Sequence, residues 1–319
     1  MKVYPFQIRP DNINMVIRIC RLYYEKKKSQ QQIADIMGVS RSQISKILIA
    51  AQDQGVVSIS ITDPFAEVSP IKKKLFESYD LRDALIISSR SDLPDIILSN
   101  ASGAITSFIS GILKDGDIIG IASGYTLFSL GNRIGYVDKT GLKVTPLLGG
   151  FFSNGATWQA NTNARILAET WDCEYMQLHS PIFVTSPELK ELLLDEPEIN
   201  KVLKEIDKMT VGLLGIGPID QYETRHSDGY ISEDDLRVLK ERGSVGGLCN
   251  FFFDADGEIV DFEGYKRMIG ITPQQLMSID TRIGIAFGDE KTDVIKAALR
   301  GRWINYLIID ENTAEKLVD

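Results

Sequence analysis

The sequence predicts an α/β protein in two parts: an all-α N-terminal domain in residues 1–61 and a larger Rossmann-like α/β domain in residues 62–319. Two observations carry this prediction. Paired helix-start patterns lie within residues 29–55, and apolar, strand-like runs alternate with helical patterns after residue 80. The dipeptides Asp63-Pro64 and Ser69-Pro70 interrupt the chain between the two parts, so we place the domain boundary after residue 61.

Length and composition restrict the class of protein. With 319 residues, 44% of them hydrophobic, the chain can bury a large core in two or three domains. No apolar run approaches the ~20 residues that span a bilayer, and the N-terminus lacks the apolar core of a signal peptide. We therefore expect a cytoplasmic protein without a membrane partner.

The three cysteines are far apart and stand among apolar or mixed neighbours: Cys20, Cys173 and Cys249. They form no CxxC pair, and no histidine lies at ligand spacing from them. This pattern predicts buried thiols. We expect neither a disulfide framework nor a metal site, and no cofactor.

The first predicted helix covers residues 11–25. Ile13, Val16, Cys20 and Tyr24 fall at helical spacing, and Asp11 can cap the helix at its start. We expect this helix to buttress the two that follow.

Two capping boxes in succession predict two short helices. Ser29 precedes Gln32 and Ser40 precedes Gln43 at the spacing that satisfies the open backbone groups of a helix start. Gly38 can end the first helix in a left-handed conformation, which leaves only one residue before the next cap. A sharp turn between two short helices is typical of a helix-turn-helix, and this motif predicts sequence-specific DNA binding.

The second of these helices has an apolar face and a polar, basic face. Arg41 can reach guanine, while Lys46 suits a phosphate and Ile49 can contact a thymine methyl group. A solvated helix of an ordinary bundle is the alternative. We predict eight DNA contacts: Lys28, Ser29, Ser40, Arg41, Ser42, Gln43, Ser45 and Lys46.

The distribution of charge supports DNA as a partner. Residues 1–60 hold 9 Lys or Arg and 4 Asp or Glu, a net charge of +5, whereas the other 259 residues carry −14. Because phosphate contacts supply most of the non-specific affinity for DNA, a basic head on an acidic body is typical of a DNA-binding module. Lys26, Lys27 and Lys28 are candidate backbone contacts, with an ordinary solvated run as the alternative for each.

After the helix-turn-helix, Val57 to Ile61 alternates as a short strand or wing, and a mainly parallel sheet covered by helices is predicted beyond it. Helices are predicted over 93–113, 127–134, 161–170 and 291–300. The predicted strands are DALIISS, DIIGIAS, KVTPLLGG, EYMQLHSPIF, MTVGLLGIG, SVGGLCNFFFD, TRIGIAFG and INYLIID.

Ligands of such sheets bind beyond the carboxyl ends of the strands, where this chain carries glycines and hydroxyl groups. Residues 123–126, Ser-Gly-Tyr-Thr, follow one strand and open a helix, as an anion such as phosphate requires. Gly288 to Lys291 joins a later strand to a helix. Lys291 is a candidate phosphate ligand there, and a salt bridge to Asp289 or Glu290 is the alternative.

Several short motifs, in this order, resemble those of one known family. They are the helix-turn-helix, GYT, LLGG, NARILAE, SPIFV, VGLLGIGPI, DGYISEDDL and FGDEKTDVIKAALRGRWINYLIIDENTA. The chain is similar over nearly its whole length to the SorC/DeoR-type bacterial sugar-sensing transcriptional regulators. The resemblance implies a C-terminal domain like the sugar-phosphate isomerases and deaminases, and a phosphorylated sugar effector that alters affinity for operator DNA. It also implies a homodimer or homotetramer.

The resemblance also implies an effector site. The phosphate would meet Ser123, Gly124 and Thr126 on one side and Lys291 on the other, with Tyr125 and Gly288 as further effector-binding residues. The sugar hydroxyls would face Gly149, Gly150, Asn154, Gln159 and Asp228. Leu148 precedes the glycine pair, so no lysine can form an imine there. Phe151, Phe152 and Trp158 near this loop can stack on a sugar or pack in the core.

Two other classes of function are weighed against a DNA-binding regulator. A sugar-phosphate isomerase or deaminase with a DNA-binding head needs an acid or base at the substrate carbons, and the acidic-Gly-His segment of the related enzymes is missing after GIG. His226 can serve as an acid or base, although a loop histidine in a charged segment is favoured, and His179 is expected to be buried. A protein-binding scaffold is disfavoured by the capping boxes and the basic face. We expect no catalytic residues.

Overall fold

The structure is a computed structural model, and it describes residue 6 and residues 12–53, 56–57, 69–88, 94–150, 157–223 and 231–318. The chain divides into two compact units, Met1–Phe65 and Ala66–Asp319. The predicted boundary between residues 61 and 62 lies outside the described residues, as does nearly all of the predicted wing.

The N-terminal unit contains three described α-helices, α1 (Ile13–Cys20), α2 (Gln30–Met37) and α3 (Arg41–Asp53). A π-helical turn, Arg21–Glu25, continues α1, so the helix predicted over 11–25 is α-helical only in its first part. The N-cap is Asn12, and the predicted cap Asp11 lies outside the described residues.

The three helices share one apolar core. Val16 and Ile19 of α1 pack with Ile33 and Ala34 of α2 and with Ile44, Ile47, Leu48 and Ala51 of α3. Gln52 also donates a hydrogen bond to the Tyr24 hydroxyl, at 3.0 Å, which joins the end of α3 to the π-helical turn. The first helix therefore supports the helix-turn-helix, as predicted.

The second unit is built on a nine-stranded sheet whose main path is parallel. The strands are β1 (Asp83–Ile87), β2 (Ile118–Ile121), β3 (Lys143–Pro146), β4 (Glu174–Tyr175), β5 (Val211–Pro218), β6 (Gly246–Leu248), β7 (Phe251–Phe253), β8 (Thr281–Ala286) and β9 (Tyr306–Asp310). Most strands of the main path are rich in buried aliphatic residues, as expected for parallel strands covered on both faces.

Helices connect the strands, and the described part of this unit contains more of them than the four predicted from periodicity. They are α4 (Pro70–Ser78), α5 (Pro94–Ile112), α6 (Tyr125–Gly131), α7 (Ala160–Trp171), α8 (Pro187–Leu194), α9 (Pro197–Ile206), α10 (Asp220–Glu223), α11 (Glu233–Glu241), α12 (Pro273–Ser278), α13 (Thr292–Arg300) and α14 (Glu311–Val318). Short 3-10 turns cover Glu263–Arg267 and Asp289–Lys291.

The strand order, β1-β9-β8-β5-β2-β3-β4, places a change of direction between β2 and β5. From β2 the chain moves outward to β3 and β4, whereas from β5 it moves the other way to β8 and β9. A crevice opens at the carboxyl ends of the strands at such a point, and ligands of open parallel sheets bind there. The residues that follow β2, β5 and β8 therefore flank the expected ligand site.

Two predicted strands differ in the structure. The run SVGGLCNFFFD forms the antiparallel hairpin β6–β7, because Cys249 and Asn250 adopt positive φ angles of 49° and 57°, which suit a two-residue hairpin turn. In EYMQLHSPIF only Glu174–Tyr175 is a strand, and the rest is held by isolated bridges such as Gly150 with Pro181.

The sequence predicts three buried thiols, and the structure confirms burial for two of them. Cys20 and Cys249 are buried, but Cys173 is half-buried, and all three are free thiols. Burial raises the pKa of Cys20 and of Cys173 to about 11, so neither thiol ionises near neutral pH. Among the described residues no helix is long and apolar enough to cross a membrane.

Candidate DNA-binding surface and effector site

The start of α2 is a complete capping box, as predicted. Ser29 Oγ accepts the backbone N–H of Gln32 at 3.2 Å, and Gln32 Oε1 accepts the backbone N–H of Ser29 at 2.9 Å. Gly38 ends the helix with a φ of 68°, in the left-handed region that glycine adopts without strain. The turn into α3 is therefore fixed by local interactions.

The start of α3 has one of the two hydrogen bonds of a capping box. Ser40 Oγ accepts the backbone N–H of Gln43 at 3.2 Å and lies 3.0 Å from Ser42 Oγ. Arg41, in the first turn of α3, is exposed. The helix start is the part of a recognition helix that contacts base edges.

The predicted DNA-contact residues lie mainly on the exposed side of α3. The side chain of Ile49 is 48% exposed, whereas Ile44 and Ile47 on the opposite side are fully buried. Lys28 and Ser45 are half-buried, and Ser29 is exposed with its hydroxyl oxygen engaged in the cap. The exposed members of the predicted set are Ser29, Ser40, Arg41, Ser42, Gln43 and Lys46.

In the second unit, the β2–α6 turn begins the candidate effector site. Gly124 is the N-cap of α6 with a φ of 135°, a conformation that side chains other than hydrogen rarely permit. Its N–H donates to the Trp158 carbonyl oxygen at 2.9 Å, so this N–H is already used inside the protein. The N–H groups of Tyr125 and Thr126 stand in the first turn, where a helix offers no internal acceptor.

A polar network holds α6 against the start of α5. Asp95 accepts hydrogen bonds from the Tyr125 hydroxyl, at 2.5 Å, and from the Ser129 hydroxyl, and Arg133 lies 3.2 Å from its carboxylate. The bonds from Ser129 and then Tyr125 lower the pKa of Asp95, which keeps the carboxylate ionised. Sequence reasoning missed Asp95, because nothing in its local sequence points to α6.

The glycine pair after β3 has a packing role. A Cβ atom on Gly149 would lie 2.6 Å from the Pro181 carbonyl oxygen, so no side chain fits there. The N–H groups of Gly149 and Gly150 donate to the carbonyl oxygens of Ile269 and Ser180. Both N–H groups are thus used inside the protein, and the position of the two glycines beside the sugar hydroxyls stays a prediction. Gly150 does lie against the Gln159 side chain, which brings two predicted site residues together.

Lys291 stands at the end of the turn after β8, immediately before α13. Its side chain is almost fully enclosed, with 5% exposed. Gly288 starts this turn with a φ of 103°, and its N–H donates to the buried carboxylate of Asp310 at 2.9 Å. Asp289 pairs with Lys316 of α14, so one of the two acids weighed as partners of Lys291 already has another cation.

The carboxylate of Asp310 fixes two elements at once. Besides Gly288, it accepts the backbone N–H and the hydroxyl of Thr313, both at 3.0 Å, which caps α14. Asp310 thereby positions the turn that carries Lys291. Its position at the carboxyl end of β9 was the only sequence signal that pointed to it.

The sheet brings the two sides of the candidate site to one edge. β5 pairs with β2 on one side and with β8 on the other, all three parallel. Neighbouring strands lie about 4.8 Å apart, so the turns after β2 and β8 are separated by about 10 Å, within reach of a lysine side chain and a phosphate. Asn154 and Asp228, predicted to face the sugar, lie outside the described residues, as do Phe151 and Phe152.

The candidate catalytic residues offer little support for an enzyme. His179 is exposed, contrary to the expectation of a buried histidine, and lines an open groove with Tyr175 and Glu198, whereas His226 lies outside the described residues. Asp220, which follows the GIG segment, is paired with Lys240 at 2.7 Å. No cluster of three or more potential metal ligands occurs among the described residues.

Comparison with known proteins identifies the family. A model described as "Putative sugar-binding domain" matches residues 63–319, and a model for region 4 of sigma-70, which contains a helix-turn-helix, matches residues 18–54. The chain belongs to this family of sugar-binding transcriptional regulators. The full-length sorbitol operon regulator SorC from Klebsiella pneumoniae has a similar structure, with a TM-score of 0.74 and 28% identity over 98% of this chain and 100% of that one.

Curated relatives of the regulator agree with this assignment over their whole length. The deoxyribonucleoside regulator of Bacillus subtilis is 29% identical over 95% of this chain and 96% of its own. The sorbitol operon regulator of Klebsiella pneumoniae is 27% identical over 97% and 98%. These relatives are transcriptional regulators and not enzymes, so the regulator is a DNA-binding protein that joins a helix-turn-helix to a sugar-binding domain.

Proposed function

We propose that the regulator binds a phosphorylated sugar at the carboxyl ends of β2, β5 and β8, and that this ligand changes its affinity for operator DNA. The relatives' names point to sugar-derived compounds, sorbitol in one case and deoxyribonucleosides in another. The protein acts where the operator is, in the cytoplasm, as a homodimer or homotetramer.

The observation that carries the proposal is the enclosed cation at the sheet edge. Lys291 is only 5% exposed and stands at the end of the turn after β8, so its side chain belongs to the carboxyl edge of the sheet. On the other side of β5, the β2–α6 turn contributes Ser123 and Thr126, two residues with hydroxyl groups. A phosphate dianion complements both sides, and its charge suits this edge better than a neutral sugar does.

The N-terminal unit, with its helix-turn-helix, is the part of the regulator that would bind DNA. The exposed face of α3 suits the major groove, with Arg41 at its start for base readout and Lys46 for the backbone. A ligand alters operator affinity only if it binds two arrangements of the protein unequally. In a dimer, two recognition helices would read half-sites about 10 base pairs apart or a multiple of that spacing.

The phosphate site is tested by Lys291→Met, which removes the charge and keeps most of the side-chain volume. Lys208→Met is the matched control, because Lys208 is 61% exposed and precedes β5, at the opposite edge of the sheet. Thermal shifts are measured with inorganic phosphate and with pentose and hexose phosphates, each beside its free sugar, because a ligand that binds the folded state raises the Tm.

We expect a sugar phosphate, but not its free sugar, to raise the Tm of the wild type and of Lys208→Met. The same compound leaves the Tm of Lys291→Met unchanged. An equal shift in both lysine variants would remove Lys291 from the site, and equal shifts with the free sugar would argue against a phosphate.

A further inference from the structure

Three buried side-chain polar atoms lack a hydrogen-bond partner among the described residues: Thr145 Oγ1, Trp158 Nε1 and Asn163 Oδ1. Two of them belong to residues that hold the β2–α6 turn. A buried donor or acceptor without a partner costs stability, and folded proteins retain few of them. These two residues are Trp158 and Asn163, so their unpaired atoms lie on one side of the candidate effector site.

The start of α7 and the β2–α6 turn form one structural unit. The Trp158 carbonyl oxygen accepts the N–H of Gly124 at 2.9 Å. Asn163, which is 1% exposed, donates from Nδ2 to the carbonyl oxygens of Ala122 at 3.0 Å and of Gly124 at 3.5 Å. Because Oδ1 and Nδ2 belong to the same small amide group, the unpaired oxygen also lies close to this turn.

Trp158 differs from the other two tryptophans of the chain. Trp171 Nε1 donates to the Gly135 carbonyl oxygen at 3.1 Å, and Trp303 Nε1 donates to the Gly257 carbonyl oxygen at 2.8 Å. The indole of Trp158 is held edge-to-face against the Tyr125 ring, with the ring centroids 6.0 Å apart. Its N–H is therefore an oriented donor rather than a loosely placed one.

We propose that Trp158 Nε1 donates to, and Asn163 Oδ1 accepts from, hydroxyl groups of the sugar whose phosphate binds at Lys291. A hydroxyl group both donates and accepts a hydrogen bond, so the several hydroxyls of a sugar match a donor and an acceptor that stand close to one turn. These two residues thus determine the specificity for a polyhydroxylated ligand. The inference rests on the proposed phosphate site, which orients the sugar beside α7.

Trp158→Phe isolates this contact. The change removes the indole N–H and keeps an aromatic ring next to Tyr125. Because the deleted donor has no partner in the free protein, the Tm of the unliganded variant reflects only the smaller ring and falls less than that of Trp171→Phe. Its affinity for the bound sugar phosphate falls about three- to tenfold, whereas its affinity for inorganic phosphate stays the same.

The matched control is Trp171→Phe, which removes an indole N–H that does have a partner. The control lowers the Tm of the free protein and leaves the affinity for sugar phosphates unchanged. Opposite effects of two identical substitutions would separate a ligand contact from a structural role.

The direct measurement is a nitrogen-proton correlation spectrum of the wild type, in which three indole N–H signals are expected and Trp158→Phe assigns one. The probes are inorganic phosphate, ribose 5-phosphate, 2-deoxyribose 5-phosphate, glucose 6-phosphate and 2-deoxyglucose 6-phosphate. We expect the Trp158 signal to move downfield with a hydroxylated sugar phosphate and to stay in place with inorganic phosphate.

The outcomes separate the two proposals. If a sugar phosphate binds in a Lys291-dependent way but Trp158→Phe leaves its affinity and the indole signal unchanged, the hydroxyl contact is wrong and the phosphate site stands. In that case the two unpaired atoms serve an ordered water molecule only. If no sugar phosphate binds more tightly than inorganic phosphate, the hydroxyl contact is overturned as well.

Discussion

Arg41 combines the features that base readout requires of a single residue. It is the first residue of α3, it is exposed, and the preceding cap at Ser40 fixes the direction of the helix start. A guanidinium in this position can bind the two acceptors of a guanine in the major groove. Lys46, one turn further along and also exposed, carries its charge on a flexible stem that suits a phosphate.

We predict that Arg41→Ala weakens operator binding by about 1–3 kcal/mol. Because the lost contact reads a base, binding to a scrambled duplex of equal length changes much less. Lys46→Ala serves as the comparison, since loss of a phosphate contact lowers affinity for both duplexes alike and reduces the dependence on salt. Fluorescence anisotropy at several salt concentrations measures both variants, and an equal loss on both duplexes for Arg41→Ala would contradict base readout.

Site residues differ in how far the sequence reveals them. Gly124 and Lys291 are candidates from the sequence because each follows an apolar strand and precedes a helix, and their contact with an effector stays a prediction. Asp310 and Asn163 were not, since their importance lies in hydrogen bonds to turns 22 and 39 residues away in the chain. The sequence likewise does not reveal that the N–H groups of Gly149 and Gly150 are bonded to carbonyl groups of distant segments, and the contact of these glycines with the sugar stays a prediction.

At the scale of elements, the capping box of α2 is the feature that the sequence predicts best. Both of its hydrogen bonds run between residues three apart, so the pattern contains all the information needed. The box matters for function because α2 and its turn set the position of α3. A loosened cap is expected to free the first turn of α2 before anything else.

We predict that Ser29→Ala destabilises α2 by about 1 kcal/mol, whereas Ser29→Gly costs only a few tenths. The physical reason is that alanine leaves the N–H of Gln32 without its acceptor, while glycine at least favours the backbone conformation of a cap. Native-state hydrogen exchange reports the difference: amides of α2 should exchange roughly fivefold faster in Ser29→Ala. Unchanged protection of these amides would show that tertiary packing, and not the cap, holds the helix.

Elements whose boundaries depend on distant partners were predicted less well. The run SVGGLCNFFFD reads as one apolar strand, yet it folds back on itself at Cys249 and Asn250 because β6 pairs with β5 as well as with β7. The run EYMQLHSPIF has the composition of a strand, but after Tyr175 its backbone N–H groups bond to scattered partners, such as Val144 of β3 and Gly150, and not along one neighbouring strand. Periodicity alone does not separate such segments from strands.

At the scale of the whole molecule, charge indicates that one unit attracts DNA, and topology indicates that the other unit binds a ligand. The first 60 residues carry a net charge of +5 and the remainder −14, so attraction to DNA is confined to the unit with the helix-turn-helix. The acidic unit supplies a parallel sheet with a crevice between β2 and β5. The alternation of strands and helices predicted this class of fold, but the sheet order depends on long-range pairing and was not predictable.

Coupling between the two units yields the last prediction. If a sugar phosphate changes operator affinity by some factor, the operator must change the affinity for that sugar phosphate by the same factor, typically 5- to 150-fold. Operator affinity is measured by anisotropy with and without saturating ligand, on a duplex selected by the protein from random DNA, and ligand affinity by calorimetry with and without this duplex. We expect Lys291→Met to retain operator binding and lose the response to ligand, and Arg41→Ala to retain ligand binding. Operator affinity that stays constant at saturating ligand would refute the coupling, because a ligand with equal affinity for both states shifts no equilibrium however tightly it binds.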